Sequence, residues 1–454
     1  MSTTMPGQSA GTLSYLDRKF RIQERGSTWR TEILAGATTF LTMAYIVFVN
    51  PNILSEAGMP VAAVAAATCL SAAIGCILMG LIANYPIALA PGMGLNAYFA
   101  YTVVKGMGVP WQTALGCVLI SGCVFLLLTA AGIRQLIVNA IPRELFASVA
   151  AGVGLFIAFI GLRDAGIIVP NASTVVAMGH LRSPQTALAC VGLLAIAALQ
   201  AWGVRTAMLL GILGTTAAGF ALGIVKWQPA HYRLADLTAT AFQLNIRGAL
   251  HIGGSFGLGS GLLEVIFVFL FVDLFDNVGT LVAVTKKAGL VNADGEIPRL
   301  NRILFADAIA TIAGSMAGTS TVVSYIESAA GVALGGRTGI ASIVTGLLFL
   351  MALFVAPLVA TIPTAATAPA LILVGALMIS AVTEIEWADP MVGVPAFLTL
   401  ITIPLTLSIA NGLAFGITSF AVLRLLRGRA TRQDWMLFLL AALFVLRFIY
   451  MALH

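Results

Sequence analysis

Asp273, Asp276, Asn277 and Thr280 stand at i, i+3, i+4 and i+7 within a run that is otherwise apolar, Phe267-Val268-Phe269-Leu270-Phe271-Val272-Asp273-Leu274-Phe275-Asp276-Asn277-Val278-Gly279-Thr280. On a helix that spacing places all four on one face, with Phe, Val and Leu opposite. Carboxylates accept hydrogen bonds, whereas Asn and Thr both donate and accept, so the stripe suits a small polar solute. One carboxylate at the centre of a bilayer-spanning helix costs roughly 2.5 to 3.5 kcal/mol on insertion scales. Two in one turn therefore point to a binding site or an ion pathway. The plainer alternative is a hydrogen-bond network between helices, but such networks more often use Ser, Thr and Asn.

Two further segments are too short and too rich in Gly, Ser and Thr to span as ordinary helices. One is Pro86 to Lys105, with Ala90-Pro91-Gly92-Met93-Gly94-Leu95-Asn96; the other is Gly318 to Gly335, with Gly318-Thr319-Ser320-Thr321 and Ser324-Tyr325-Ile326-Glu327. Each reads as an extended stretch feeding a half-helix. Ser324-x-x-Glu327 has capping-box spacing, so Ser324 is expected to cap while Glu327 reaches back to the Ser324 amide. A helix start also presents free N–H groups to a ligand. Asn96 holds the corresponding place in the first segment, where Gly94 lets the backbone approach a planar ligand or another helix.

These segments sit in a chain of 454 residues that is 59% hydrophobic and 9% charged, against about a quarter charged in soluble domains. The composition is that of a polytopic membrane protein, and its 46 glycines and 17 prolines suit closely packed or broken helices. Cys69, Cys76, Cys117, Cys123 and Cys190 lie in apolar runs without metal spacing and read as small buried residues. His180, His231, His251 and His454 fall in loops or the tail, away from the acidic face. The net charge of +6 follows membrane topology and calls for no nucleic acid. Met1 to Arg30 lacks a signal-peptide pattern, so the first apolar segment is expected to remain in the membrane.

Apolar windows mark spans near 31 to 52, 61 to 83, 110 to 132, 144 to 163, 185 to 203, 205 to 225, 258 to 285, 303 to 316, 338 to 361, 366 to 383, 391 to 409 and 411 to 427. With the two broken segments they make fourteen. Ile141-Pro142 and Ile362-Pro363 stand 221 residues apart, followed by Gly154-Leu155-Phe156 and Gly375-Ala376-Leu377. Two halves of seven spans must insert with opposite orientation, the inverted-repeat plan of many secondary transporters. With the N-terminus inside, 17 of the 24 Lys and Arg residues fall on the inner side and 6 outside, as the positive-inside rule requires. Trp435 to Leu453 is apolar enough to span or to lie in the interface, and the interfacial position is favoured.

Four stretches together resemble a known family. Thr31-Glu32-Ile33-Leu34-Ala35-Gly36 through Tyr45-Ile46 to Asn50-Pro51, then Ala90-Pro91-Gly92-Met93-Gly94-Leu95-Asn96-Ala97, then Asp273-x-x-Asp276-Asn277-x-Gly279-Thr280, and finally Gly318-Thr319-Ser320-Thr321 through Tyr325-Ile326-Glu327-Ser328 to Gly336-Arg337-Thr338-Gly339 look like the AzgA-like branch of the nucleobase-cation symporter-2 family. The resemblance covers about residues 27 to 427. It implies an all-α polytopic fold of fourteen transmembrane segments in two inverted seven-span repeats, with short β-strands in broken spans 3 and 10. Core parts 31–133 and 258–361 would move against gate parts 141–226 and 363–427, between a cytoplasmic 1–30 segment and a 432–454 tail.

The resemblance implies a proton-coupled importer of hypoxanthine, guanine and adenine in the cell membrane, commonly a homodimer, using no cofactor beyond the coupling proton. The base would lie between the two strands, with Asp273 or Asp276 and Glu327 as main ligands and Asn96 in support. Thr280, Gly94, Ser320, Thr321 and Phe275 complete the expected substrate-binding set, and Tyr325 and Phe271 are further candidates for stacking. Carboxylates can take the N–H donors of a purine while strand N–H groups meet its acceptors. Burial makes a carboxyl easier to protonate and a neighbouring carboxylate adds to this, so one acidic residue is expected to carry the proton, Asp273 among the candidates. Asp307 could join this network or pair with a neighbouring Thr or backbone group. A uracil or xanthine carrier of the same fold is the closest rival. An anion carrier should place Arg or Lys at the half-helix ends, and a membrane-embedded aspartyl enzyme gives the paired breaks no role.

Overall fold

The computed structural model describes residues 17–132, 143–225, 233–250, 261–292, 297–431 and 434–453. Ile141, Pro142, His231, His251 and His454, which entered the sequence reading, lie outside the described residues. The chain folds as a helical polytopic membrane protein. Among the described residues nine helical stretches are long and apolar enough to cross a membrane, and Ala207–Ala221, Pro390–Thr406 and Trp435–Ile449 are shorter apolar helices.

The helices begin where the sequence punctuates them. α1 (Trp29–Met43) starts after Thr28, whose hydroxyl accepts from the Thr31 amide, and continues after a break at Ala44-Tyr45 as α2 (Ile46–Ser55). α3 (Val61–Leu78) follows Pro60 and ends in a π-helical turn, Met79–Ala83, closed by Asn84 in the left-handed region. The chain then extends into β1 (Leu89–Pro91) and resumes as α4 (Met93–Ala97) with a π-helical continuation, Tyr98–Gly106. α5 (Trp111–Ala130) follows Pro110, and α6 (Arg143–Asp164) leads into an outer hairpin of β2 (Ile168–Asn171) and β3 (Val175–Met178). α7 (Pro184–Ala201) has Ser183 as cap and proline at its first position, where no N–H is needed. α8 spans Ala207–Ala221.

The second half opens with α9 (Gly261–Lys287), which carries the acidic stripe, and α10 (Leu300–Ala317). β4 (Val322–Ser324) and the short α11 (Ser328–Ala333) form the second break. α12 (Gly339–Ala352), α13 (Thr364–Met378), α14 (Pro390–Thr406) and α15 (Ile409–Leu426) follow, with 3-10 turns extending α12 and α13. β1 and β4 pair antiparallel, Leu89 opposite Ser324, Ala90 opposite Val323 and Pro91 opposite Val322. This two-stranded ribbon lies buried among helices, which is where non-helical backbone is tolerated at membrane depth.

Two of the four motifs meet on one side of the bundle. Glu32, buried in α1, accepts hydrogen bonds from the Arg337 amide (2.8 Å) and the Thr338 amide (3.2 Å) just before α12. The last helix, α16 (Trp435–Leu453), runs antiparallel along α15: Asp434 pairs with Arg424 (3.1 Å), Phe448 packs on Phe415, and Arg447 donates to Asn411 (2.9 Å). Arg447 also reaches Glu264 of α9 at 2.6 Å.

Candidate functional site

The polar face of α9 divides into two jobs. Asn277 is fully buried, and its Nδ2 donates to Asp273 Oδ1 and to Asp307 Oδ2, each at 2.8 Å. Its Oδ1 accepts from the Ser324 amide at 2.8 Å. One side-chain amide thus ties α9, α10 and β4 together, and Asp273 and Asp307 belong to this interior network. Asp307 joins this network through the Asn277 side-chain amide. The neighbouring Thr311 serves β4, exchanging two hydrogen bonds with Val322.

Asp276 and Glu327 take the second job. Both are partly exposed, and their carboxylates lie close enough to interact electrostatically. Among the described residues no donor reaches Asp276. Glu327 occupies the cap position of α11, but its side chain does not cap. Its Oε1 accepts from the Tyr45 hydroxyl at 2.6 Å. The capping-box expectation is therefore corrected: the Ser324 amide is already committed to Asn277, and Ser324 lies in a strand, not at a helix start. Tyr325 fixes the same loop by donating its hydroxyl to the Pro91 carbonyl at 2.6 Å.

Asn96 sits in α4, just past β1, with no exposed surface. Its Nδ2 donates to Asn50 Oδ1 at 2.5 Å, and Asn50 donates in turn to Thr68 (2.7 Å) and Thr319 (3.0 Å). Asn96 Oδ1 and the hydroxyls of Ser320, Thr321 and Ser324 are buried without a hydrogen-bond partner among the described residues. Buried polar atoms are usually paired, and each orphan costs about 1 to 3 kcal/mol. These four, all in or next to the segments of the paired strands, are groups that a hydrogen-bonding ligand could satisfy.

Other expected residues are placed differently. A Cβ on Gly94 would collide with the Val153 side chain of α6, so the missing side chain makes room for a neighbouring helix. Phe271 stacks on Phe267 with centroids 5.1 Å apart, on the side of α9 that faces an apolar crevice against α5 and α16. Thr280 is partly exposed, and the side chain of Phe275 lies outside the described residues. Tyr45 and Asn50 were not singled out from the sequence. Their signal was position, polar groups within the apolar first span at the ends of its motif. Among the described residues no group of three or more His, Cys, Asp or Glu is arranged to hold a metal ion.

The comparisons agree with one another. The Xan_ur_permease model, described as a permease family, matches residues 30–416. The chain is 44% identical to the adenine permease AdeP of Escherichia coli over 439 residues, covering 97% of each protein. It is 45% identical to the guanine/hypoxanthine permease PbuG of Bacillus subtilis over 441 residues, 95% of this chain and 99% of that one. Its fold resembles the transmembrane domain of a cyanobacterial bicarbonate transporter, BicA, with a TM-score of 0.57 at 15% identity over 91% of this chain and 97% of that one.

Proposed function

The chain belongs to the nucleobase-cation symporter-2 family of permeases, and from that premise we propose that it imports purine nucleobases, adenine, hypoxanthine and guanine, by proton-coupled alternating access. The family is one of transporters, not enzymes. The observation that carries the substrate reading is the Asp276–Glu327 pair: two partly exposed carboxylates within electrostatic reach of one another, near a paired β1–β4 ribbon with orphan polar atoms about it. A purine offers N–H donors to such carboxylates and ring acceptors to hydroxyls and amides. Asn96, Ser320, Thr321 and Thr280 complete the proposed contact set, with Asp276 and Glu327 as principal ligands.

The coupling proton is assigned to the acidic set, with Asp273 and Asp307 as its reserve. Two carboxylates that share one amide donor are a natural place to hold a proton. The fourteen-span inverted repeat is part of the same proposal. In it the nine long apolar stretches, the shorter Ala207–Ala221 and Pro390–Thr406, α10 and the two broken segments would make up the fourteen. Residues 31–133 and 258–361 would form the core, and 141–226 and 363–427 the gate. Polar ties join these parts toward one side: Arg163 lies over the Tyr101 ring at 4.6 Å, and Thr102 donates to the Leu407 carbonyl. The lengthwise packing of α16 on α15 supports a membrane-crossing position for the tail in place of the interfacial one. A cytoplasmic N-terminus, the cell membrane as location and a homodimer complete the reading.

The test is uptake of labelled hypoxanthine and adenine in a purine-transport-null strain, with unlabelled adenine, guanine, hypoxanthine, xanthine and uracil as competitors. Competition by the first three, and loss of accumulation with a protonophore, are the expected results. Competition by uracil or xanthine alone, or accumulation that ignores the protonophore, overturns the substrate or the coupling assignment respectively.

A further inference from the structure

We propose that Tyr45 is a positioning residue for substrate, holding the Glu327 carboxylate in the orientation that receives a base N–H; this rests on the transport reading above. Tyr45 lies at the break between α1 and α2, where two residues in a turn interrupt the helical ladder. It has no exposed surface, so its hydroxyl must find a partner inside the protein. That partner is Glu327 Oε1, 2.6 Å away and 282 residues along the chain. The distance is typical of a strong hydrogen bond from a hydroxyl to a carboxylate.

The bond matters because of what else holds Glu327. Its backbone is anchored through Tyr325, whose hydroxyl is bound to Pro91 of β1. Its side chain, partly exposed, also accepts from the residue's own backbone amide, and among the described residues no second side chain donates to it. A glutamate carries three rotatable side-chain bonds, and among the described residues Tyr45 is the side chain from another segment that restrains the far end of them, beside the residue's own backbone amide. With Oε1 engaged, Oε2 is the oxygen left to accept from a ligand. Removing the hydroxyl leaves the carboxylate in the site but free to turn, so binding must then order it at an entropic cost.

Binding of adenine and hypoxanthine to the purified full-length protein in lipid nanodiscs, measured calorimetrically, tests this with Tyr45→Phe, Glu327→Asp and the double variant. Tyr45→Phe is expected to weaken binding roughly 10-fold to 100-fold, the range for a hydrogen bond to a charged group. Glu327→Asp withdraws the carboxylate from the hydroxyl and is expected to weaken binding similarly, with Tyr45→Phe adding less than about twofold on top of it, as coupled neighbours do. Wild-type affinity in Tyr45→Phe, or losses that multiply in the double variant, overturns the proposal. If Tyr45→Phe does not yield monodisperse protein, Glu327→Asp alone decides, and wild-type affinity there overturns it. A wild-type protein that binds none of the purines refutes the transport reading itself.

Discussion

Gly154 and Gly375 lie against each other where α6 crosses α13: a Cβ on Gly154 would stand 2.9 Å from the Gly375 carbonyl oxygen, and a Cβ on Gly375 would press on the Gly154 carbonyl. The two stand 221 residues apart in sequence. That offset equals the one between Ile141-Pro142 and Ile362-Pro363, and the contact is what the proposed repeat of two halves would place near its axis. Gly375→Leu is expected to force the helices apart at a cost of about 1 to 3 kcal/mol. A lower melting temperature and reduced yield in size-exclusion chromatography would report it; an unchanged melting temperature would contradict the crossing.

Asp276→Asn and Glu327→Gln remove the charge of the two carboxylates proposed to meet the base and replace one acceptor oxygen of each by a donor NH2. Each is expected to lower uptake of labelled hypoxanthine and adenine by about tenfold or more at normal surface expression. Wild-type uptake in both would remove these residues from the site.

Asn277 acts differently, because its amide serves three partners at once. Asn277→Leu leaves the Asp273 and Asp307 carboxylates without their shared donor and the Ser324 amide without its acceptor. The expected loss is about 3 kcal/mol or more of stability, seen as a marked fall in melting temperature. Thr280→Val, at a partly exposed position of the same helix, should move it by far less.

Arg447 and Glu264 test the docking of the last helix. Their side chains are 16% and 19% exposed and 2.6 Å apart. Breaking such a largely buried pair from one side costs about 3 to 5 kcal/mol, whereas replacing both charges costs much less. Arg447→Met is therefore expected to destabilise the protein more than Arg447→Met combined with Glu264→Gln, by thermal unfolding. Equal melting temperatures for the two would contradict the pair.

How far the sequence foretold all this depended on the kind of signal. Hydropathy marked the apolar helices, and the glycine-rich stretches marked the two breaks, because both signals are local and strong. The acidic stripe was legible as one face of a helix. Its division was not, since whether Asp273 or Asp276 turns inward depends on where Asp307 and Ser324 arrive from other segments. The same reason hid Tyr45, a lone tyrosine in an apolar run until Glu327 meets it. Ser324-x-x-Glu327 misled because capping-box spacing presumes a helix beginning at the serine, and pairing with β1 drew Ser324 into a strand instead. Gly94 read as room for a ligand or for another helix, and the second is what Val153 of α6 occupies.

The β1–β4 ribbon also sets an order of events during synthesis. Pro91 ends one strand and Ser324 the other, and each strand is the other's partner. At about 5–20 residues per second, a ribosome reaches Ser324 on the order of 10 to 50 s after Pro91. Throughout that interval the first strand holds unpaired amides and carbonyls at a depth where water is scarce and each costs several kcal/mol. Insertion of the first half therefore precedes its folding. A nascent chain halted before Val322 has every residue of the first strand and still no partner to pair it with.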